Sequence, residues 1–219
     1  MTIDSLLLIV FTDEVKSTEQ DARCTYARQI LSARANLFGP QIECLNKFGW
    51  LIIKNVGDQL VMRFDNKKNY DIEDIVTDCL IELYNFWKKE LKGKIRIAVH
   101  TPREGRGLAT GKDINEYLLP ILKRSAQKTK KCLKNLWPSI KFLEEDMFGF
   151  DMNLAARLVT IPKTALFIIT EGVYNLCNQG GKLKNQVAIS DPIPIINLKG
   201  FETVYGVDKP LIIREIREK

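Results

Sequence analysis

Two β-rich runs, residues 50–56 and 60–64, meet at Gly57 and Asp58, and a helical pattern lies on each side of the pair. Glycine followed by aspartate between such runs predicts a hairpin, because glycine takes the left-handed backbone that tight turns require. Upstream, residues 6–11 form a continuous apolar run, short enough for a central strand. Residues 19–37 carry helical spacing, with Ala22, Tyr26, Ile30 and Ala33 on one face, until Gly39 and Pro40 stop them. Downstream, residues 72–91 predict a second amphipathic helix ending near Gly93, and 95–99 a further β-branched strand. Strand, helix, hairpin, helix, strand is the split order of a ferredoxin-like βαββαβ core, so the expected fold class is α/β (α+β). Beyond that core the pattern predicts a strand at 166–170, a short helix ending near Gly180 and Gly181, and closing strands at 193–198 and 201–207. There is no internal repeat or low-complexity stretch, so residues 1–219 are expected to form one domain.

Composition excludes little beyond the membrane. Hydrophobic residues make up 45% and charged residues 27%, the balance of an ordinary globular protein. No apolar run approaches the length needed to span a bilayer. The first ten residues lack a basic segment and a cleavage site, so they read as strand rather than leader. Cys24, Cys44, Cys79, Cys132 and Cys177 are scattered without metal-ligand spacing, which suggests reduced thiols and a cytoplasmic location. Much of the +6 net charge comes from residues 123–134. That run reads as a solvated helix face rather than a nucleic-acid site, since no aromatic residues are interleaved for base stacking.

Three segments carry chemistry. In the block 146–157, Asp146 precedes a turn at Gly149, and Asn153 and Arg157 follow one helical turn apart. That spacing puts both side chains on one helix face. Asn can orient a sugar, and Arg can hold a phosphate with a fixed fork of donors. Ala155 and Ala156 let the helix pack closely. In the second segment Asp13 stands at the end of the first strand, where a lone carboxylate is mostly a helix cap but can also take a hard cation. The third is the hairpin turn with Lys54 and Asp58. If the first strand pairs with this hairpin, Asp13 and Asp58 meet at adjacent strand ends, mutually repulsive unless metal ions neutralise them.

Taken in order, Phe11 to Asp13, Lys54 to Asp58, the block 146–157 and Leu198 to Gly200 resemble the motif series of class III nucleotidyl cyclases. The resemblance runs from about residue 6 to residue 207. It implies a lyase that converts a nucleoside triphosphate to a 3′,5′-cyclic nucleotide and pyrophosphate. Asp13 and Asp58 match the aspartates that hold two Mg²⁺ or Mn²⁺ ions. Glu14 stands where an aliphatic residue is usual, with its backbone carbonyl still able to reach metal. Asn153 matches the ribose-orienting residue, Arg157 the residue meeting charge at the α-phosphate, and Lys199 the lysine on the terminal phosphates. Lys54 and Asp146 match the pair that reads adenine.

Family sites form between two domains, so a homodimer with two equivalent sites is implied. Two features depart from the pattern. Thr101, Pro102 and Arg103 replace the common glycine after His100, and the stretch 105–145 is a longer connection than usual, with a basic helix at 114–136. His100, the only histidine, reads as structural. The base stays open between ATP and a pyrimidine. Lys54 and Asp146 favour ATP, whereas the bare catalytic architecture, similar to bacterial anti-phage uridylate and cytidylate cyclases, and bulky Trp50 in the hairpin favour UTP or CTP. The alternative is a catalytically silent nucleotide-binding module, which would show erosion of these positions; none is eroded.

Overall fold

The first apolar run becomes β1 (Leu6–Glu14) and continues past its apolar part to carry Asp13 inside the strand. The computed structural model describes residues 6–15, 39, 50–56, 59–65, 71–91, 95–102, 108–118, 120, 147–161, 166–177, 181–196 and 198–219. The helix expected at 19–37 and the basic run 123–134 lie outside the described residues.

β2 (Leu51–Val56) and β3 (Gln59–Asp65) form the expected antiparallel hairpin, with Val56 opposite Gln59. A register shift between Ile52 and Lys54 places a bulge in β2, which increases the local twist. α1 (Ile72–Phe86) starts at Asp71, whose carboxylate accepts from the Glu73 amide at 2.9 Å. Its last part widens into a π turn, Trp87–Leu91, and the Trp87 indole donates to the Ile95 carbonyl at 2.7 Å. That bond ties the turn to β4 (Ile95–His100). β5 (Leu108–Thr110) pairs with β6 (Met147–Gly149) in a small separate sheet. α2 (Phe150–Leu158), β7 (Phe167–Thr170), α3 (Glu171–Leu176), α4 (Gly181–Gln186), β8 (Ala188–Ile189), β9 (Ile193–Ile195) and β10 (Leu211–Arg217) follow.

The main sheet runs β2-β3-β1-β4-β7-β10-β8, with β9 also on β10. Its first four strands have the order of a ferredoxin-like core, β1 lying antiparallel between β3 and β4. β4 and β7 pair in parallel and join this core to the rest.

Strand alternation sorts the residues of β1 into two cores. Leu8 and Val10 face one cluster with Val76, Leu80 and Leu83 of α1 and Val173 and Leu183 of α3 and α4. Ile9 and Phe11 face the other, built on Met152, Leu154 and Ala155 of α2 with Leu198, Phe201 and Tyr205. Asp13 therefore continues the α2 side, and Glu14 the α1 side.

Three sequence expectations are corrected here. The helix after β7 ends at Leu176, and Gly181 opens a second helix instead of closing the first. Residues 201–207 are turns, with the Val204 and Tyr205 amides donating to the Phe201 carbonyl at 2.9 and 2.8 Å. The closing strand is β10, which the sequence pattern had not singled out. Trp50 also belongs to the α1-side core, 1% exposed with its ring 5.3 Å from that of Phe64.

Candidate functional site

Asp13 is 4% exposed, and both neighbouring strands bring it a partner in register: Gln59 on β3 and Arg96 on β4. The Gln59 side-chain amide donates to Asp13 Oδ1 at 3.2 Å. Arg96 Nη2 donates to Oδ2 in a charge-assisted pair. Both carboxylate oxygens are thus engaged. Glu14 is buried too, but its side chain leaves the opposite face of β1, so the two carboxylates do not converge. Asp58 lies outside the described residues; the residue after it, Gln59, is the one opposite Asp13.

α2 presents the sugar- and phosphate-type side chains. Asn153 and Arg157 are exposed on one face, while Met152, Leu154, Ala155 and Leu158 are buried on the other. Gly149 precedes the helix with φ 135° and ψ −172°, a conformation essentially confined to glycine, so the turn read from sequence is a backbone requirement. Asp151, fully buried, fixes the helix start: its Oδ1 accepts from His100 Nε2 at 2.9 Å. The other ring nitrogen of His100 lies 3.3 Å from Thr170 Oγ1. α2, β4 and β7 are thereby tied together through one buried histidine.

Lys199 sits at the corner of a tight turn, where the Phe201 amide donates to the Leu198 carbonyl at 2.8 Å and Gly200 has φ 85°. Both Glu202 oxygens accept from the Gly200 amide, at 3.0 and 2.9 Å. The Glu202 backbone amide, and then that of Gly200, hold its carboxyl below the usual carboxylate range. The turn is therefore braced beneath an exposed lysine.

These segments enclose a cavity of about 490 Å³ whose walls include Gln59, Asn153, Arg157, Thr160 and Lys199. Three predicted residues, Asn153, Arg157 and Lys199, thus meet around one space large enough for a nucleotide-sized ligand. Two of them are cationic and no carboxylate stands among the described residues lining it, so the chemistry of the cavity suits an anion. Trp50 is not part of it, which removes the bulk argument drawn from that residue. The backbone of Lys54 pairs with Val61, while its side chain and Asp146 lie outside the described residues.

Sequence reading missed Gln59, Thr160 and Arg96. Arg96 carried a signal, being the one charged residue in an otherwise apolar run, Ile95 to Val99. As a ligand for a hard cation, the buried Asp13 carboxylate has suitable donor chemistry, while Asp58, which precedes Gln59 in sequence, lies outside the described residues. Among the described residues no group of three or more His, Cys, Asp or Glu gathers, and no helix is long and apolar enough to cross a membrane.

No protein-family model matches the chain, and no curated protein does. Solved structures do. The adenylyl cyclase CyaB from P. aeruginosa aligns with a TM-score of 0.61 at 17% identity, over 98% of this chain and 95% of that one. The guanylyl cyclase Cya2 aligns at 0.59 and 13% identity, over 97% and 92%. The guanylate cyclase domain of RhGC from Catenaria anguillulae, solved with GTP, aligns at 0.58 and 13% identity, over 98% and 97%. The chain has the fold of adenylyl and guanylyl cyclase class III catalytic domains. At these identities the likeness speaks for the fold.

Proposed function

We propose that the chain is a class III nucleotidyl cyclase, forming a 3′,5′-cyclic nucleotide and pyrophosphate from a nucleoside triphosphate. The observation that carries this reading is the convergence of Asn153, Arg157 and Lys199 on one cavity whose wall continues through Gln59 to buried Asp13. Lys199 holds the terminal phosphates, Asn153 orients the ribose, and Arg157 meets the charge that develops around the α-phosphate. Asp13 and Asp58 would hold two Mg²⁺ or Mn²⁺ ions, with the backbone carbonyl of Glu14 as a further oxygen. When bound, those ions neutralise phosphate charge and lower the pKa of the ribose 3′-hydroxyl. The 3′-hydroxyl releases its proton to solvent, its oxygen bonds to the α-phosphorus, the bond to the bridging oxygen breaks, and pyrophosphate leaves.

Lys54 and Asp146 read the base, and with Trp50 in the core they favour ATP. UTP or CTP is the second choice. The cyclases that share this fold include both adenylyl and guanylyl enzymes, so the fold does not choose a base. A product assay with Mn²⁺ and each of ATP, GTP, CTP and UTP, read by mass spectrometry, tests the reading. Cyclic AMP is expected; cyclic UMP or CMP overturns the base, and no product from any tube favours the silent module.

Two arrangements of the site are consistent with these residues. In a homodimer, Asp13 and Asp58 of one copy face Asn153 and Arg157 of the other. Gln59 favours a second reading, in which one copy supplies both sets, because it binds Asp13 and also lines the cavity. Mixing Asp13→Ala with Arg157→Ala distinguishes them. Recovered activity supports the shared site, and none at any ratio supports the self-contained one.

A further inference from the structure

We propose that Arg96 is a resident counter-ion for Asp13 that suppresses metal binding until nucleotide arrives; this rests on the cyclase reading of Asp13 as a metal ligand. Asp13 is buried, and a carboxylate cannot remain charged there without compensation. The compensation is built in from both sides. Gln59 supplies a neutral donor to Oδ1, and Arg96, its side chain 18% exposed, supplies a full positive charge to Oδ2.

A divalent cation needs the same oxygens. The carboxylate has lone pairs enough to share, so crowding of acceptors is not the obstacle. Charge is. A guanidinium and a divalent ion on one buried carboxylate repel at close range, and in a partly desolvated site that repulsion is only weakly screened. Arg96 must swing away or weaken the ion's hold.

A triphosphate changes the balance. Its negative charge both offsets the added cation and offers the guanidinium another partner. Metal and nucleotide then load together, and Asp13 keeps its conformation in the meantime. Gln59, being neutral, opposes neither state.

The test is Mn²⁺ binding without nucleotide, followed by the electron paramagnetic resonance signal of free Mn²⁺. Arg96→Gln is expected to bind Mn²⁺ roughly tenfold more tightly than wild type, from the relieved repulsion. The gain should vanish in Asp13→Asn/Arg96→Gln. Unchanged or weaker binding in Arg96→Gln would overturn the proposal.

Wild-type protein gives a second readout that does not depend on a variant folding. Mn²⁺ with tripolyphosphate should change the rate of phenylglyoxal labelling of Arg96, scored by peptide mass spectrometry, while Mn²⁺ alone should not; an unchanged rate with both together counts against displacement. Product formation is followed in parallel. Cyclic nucleotide without the tightening sinks the counter-ion role alone, and tightening without product sinks the cyclase reading alone.

Discussion

Asp151 is wholly buried beside a histidine, and the pair it makes with His100 reaches from α2 to β4. Removing one member of such a pair leaves the other buried with its polar atoms unmet. Asp151→Ala should therefore lower unfolding free energy by about 3 kcal/mol in urea titrations, with Asp151→Asn milder, since the amide can still bond the ring. A loss below about 0.5 kcal/mol, the level of an ordinary surface change, would show that the pair does not anchor α2.

The thiols of Cys79 and Cys177 make a second residue-scale case. Burial pushes them up to about 12 and about 11 respectively. Unfolded thiols ionise near pH 8.5, so above that pH the unfolded chain releases protons that the folded chain keeps. Stability should fall as pH rises from about 8.5 towards 11, and the fall should shrink in Cys79→Ala/Cys177→Ala. Equal slopes in the two proteins would refute it. At this scale the four-residue spacing of Asn153 and Arg157 made that pair legible, whereas Lys199 came from the resemblance alone. Gln59 stayed hidden because its role comes from cross-strand register, which spacing along the chain does not encode.

Elements were legible where one period dominates. β1 to β4 and α1 read well because short apolar runs or helical spacing dominate them. Residues 201–207 misled because Phe201, Val204 and Tyr205 are apolar enough for a strand, yet their spacing is that of tight turns packing on Phe150. β10 was missed for the converse reason: Arg214, Glu215 and Arg217 interrupt its apolar pattern. Arg214 is accommodated by α3. Its guanidinium forks onto Glu171 at 2.8 and 3.0 Å and lies 3.9 Å from the centre of the Tyr174 ring. Glu171 is partly exposed, which reduces the value of the ion pair. Arg214→Ala should still cost about 1–2 kcal/mol by chemical denaturation, from the fork and the ring together. Arg214→Lys should recover less than half, because an ammonium cannot make the paired contact. Full recovery would assign the effect to charge alone.

For the molecule as a whole, the sheet divides at β4 and β7. β1 to β4 lie on one side of that line and β7 to β10 on the other, and the seam has three register pairs, Ile97 with Phe167, Ala98 with Ile168 and Val99 with Ile169. The line also divides the chemistry. Asp13, Gln59 and Arg96 belong to the first side in sequence, and Asn153, Arg157 and Lys199 to the second. The connection between them includes residues 105–145, and lengthening such a connection adds only slowly to its closure entropy, about 0.6 kcal/mol per doubling. A chain cut within that stretch would then become two complementary fragments. Co-expressed, they should reassociate through the seam and the His100–Asp151 bond, observable as co-purification of an untagged fragment with a tagged one. On the proposed reading neither fragment carries a complete set of reacting groups, so nucleotide turnover would report their reunion.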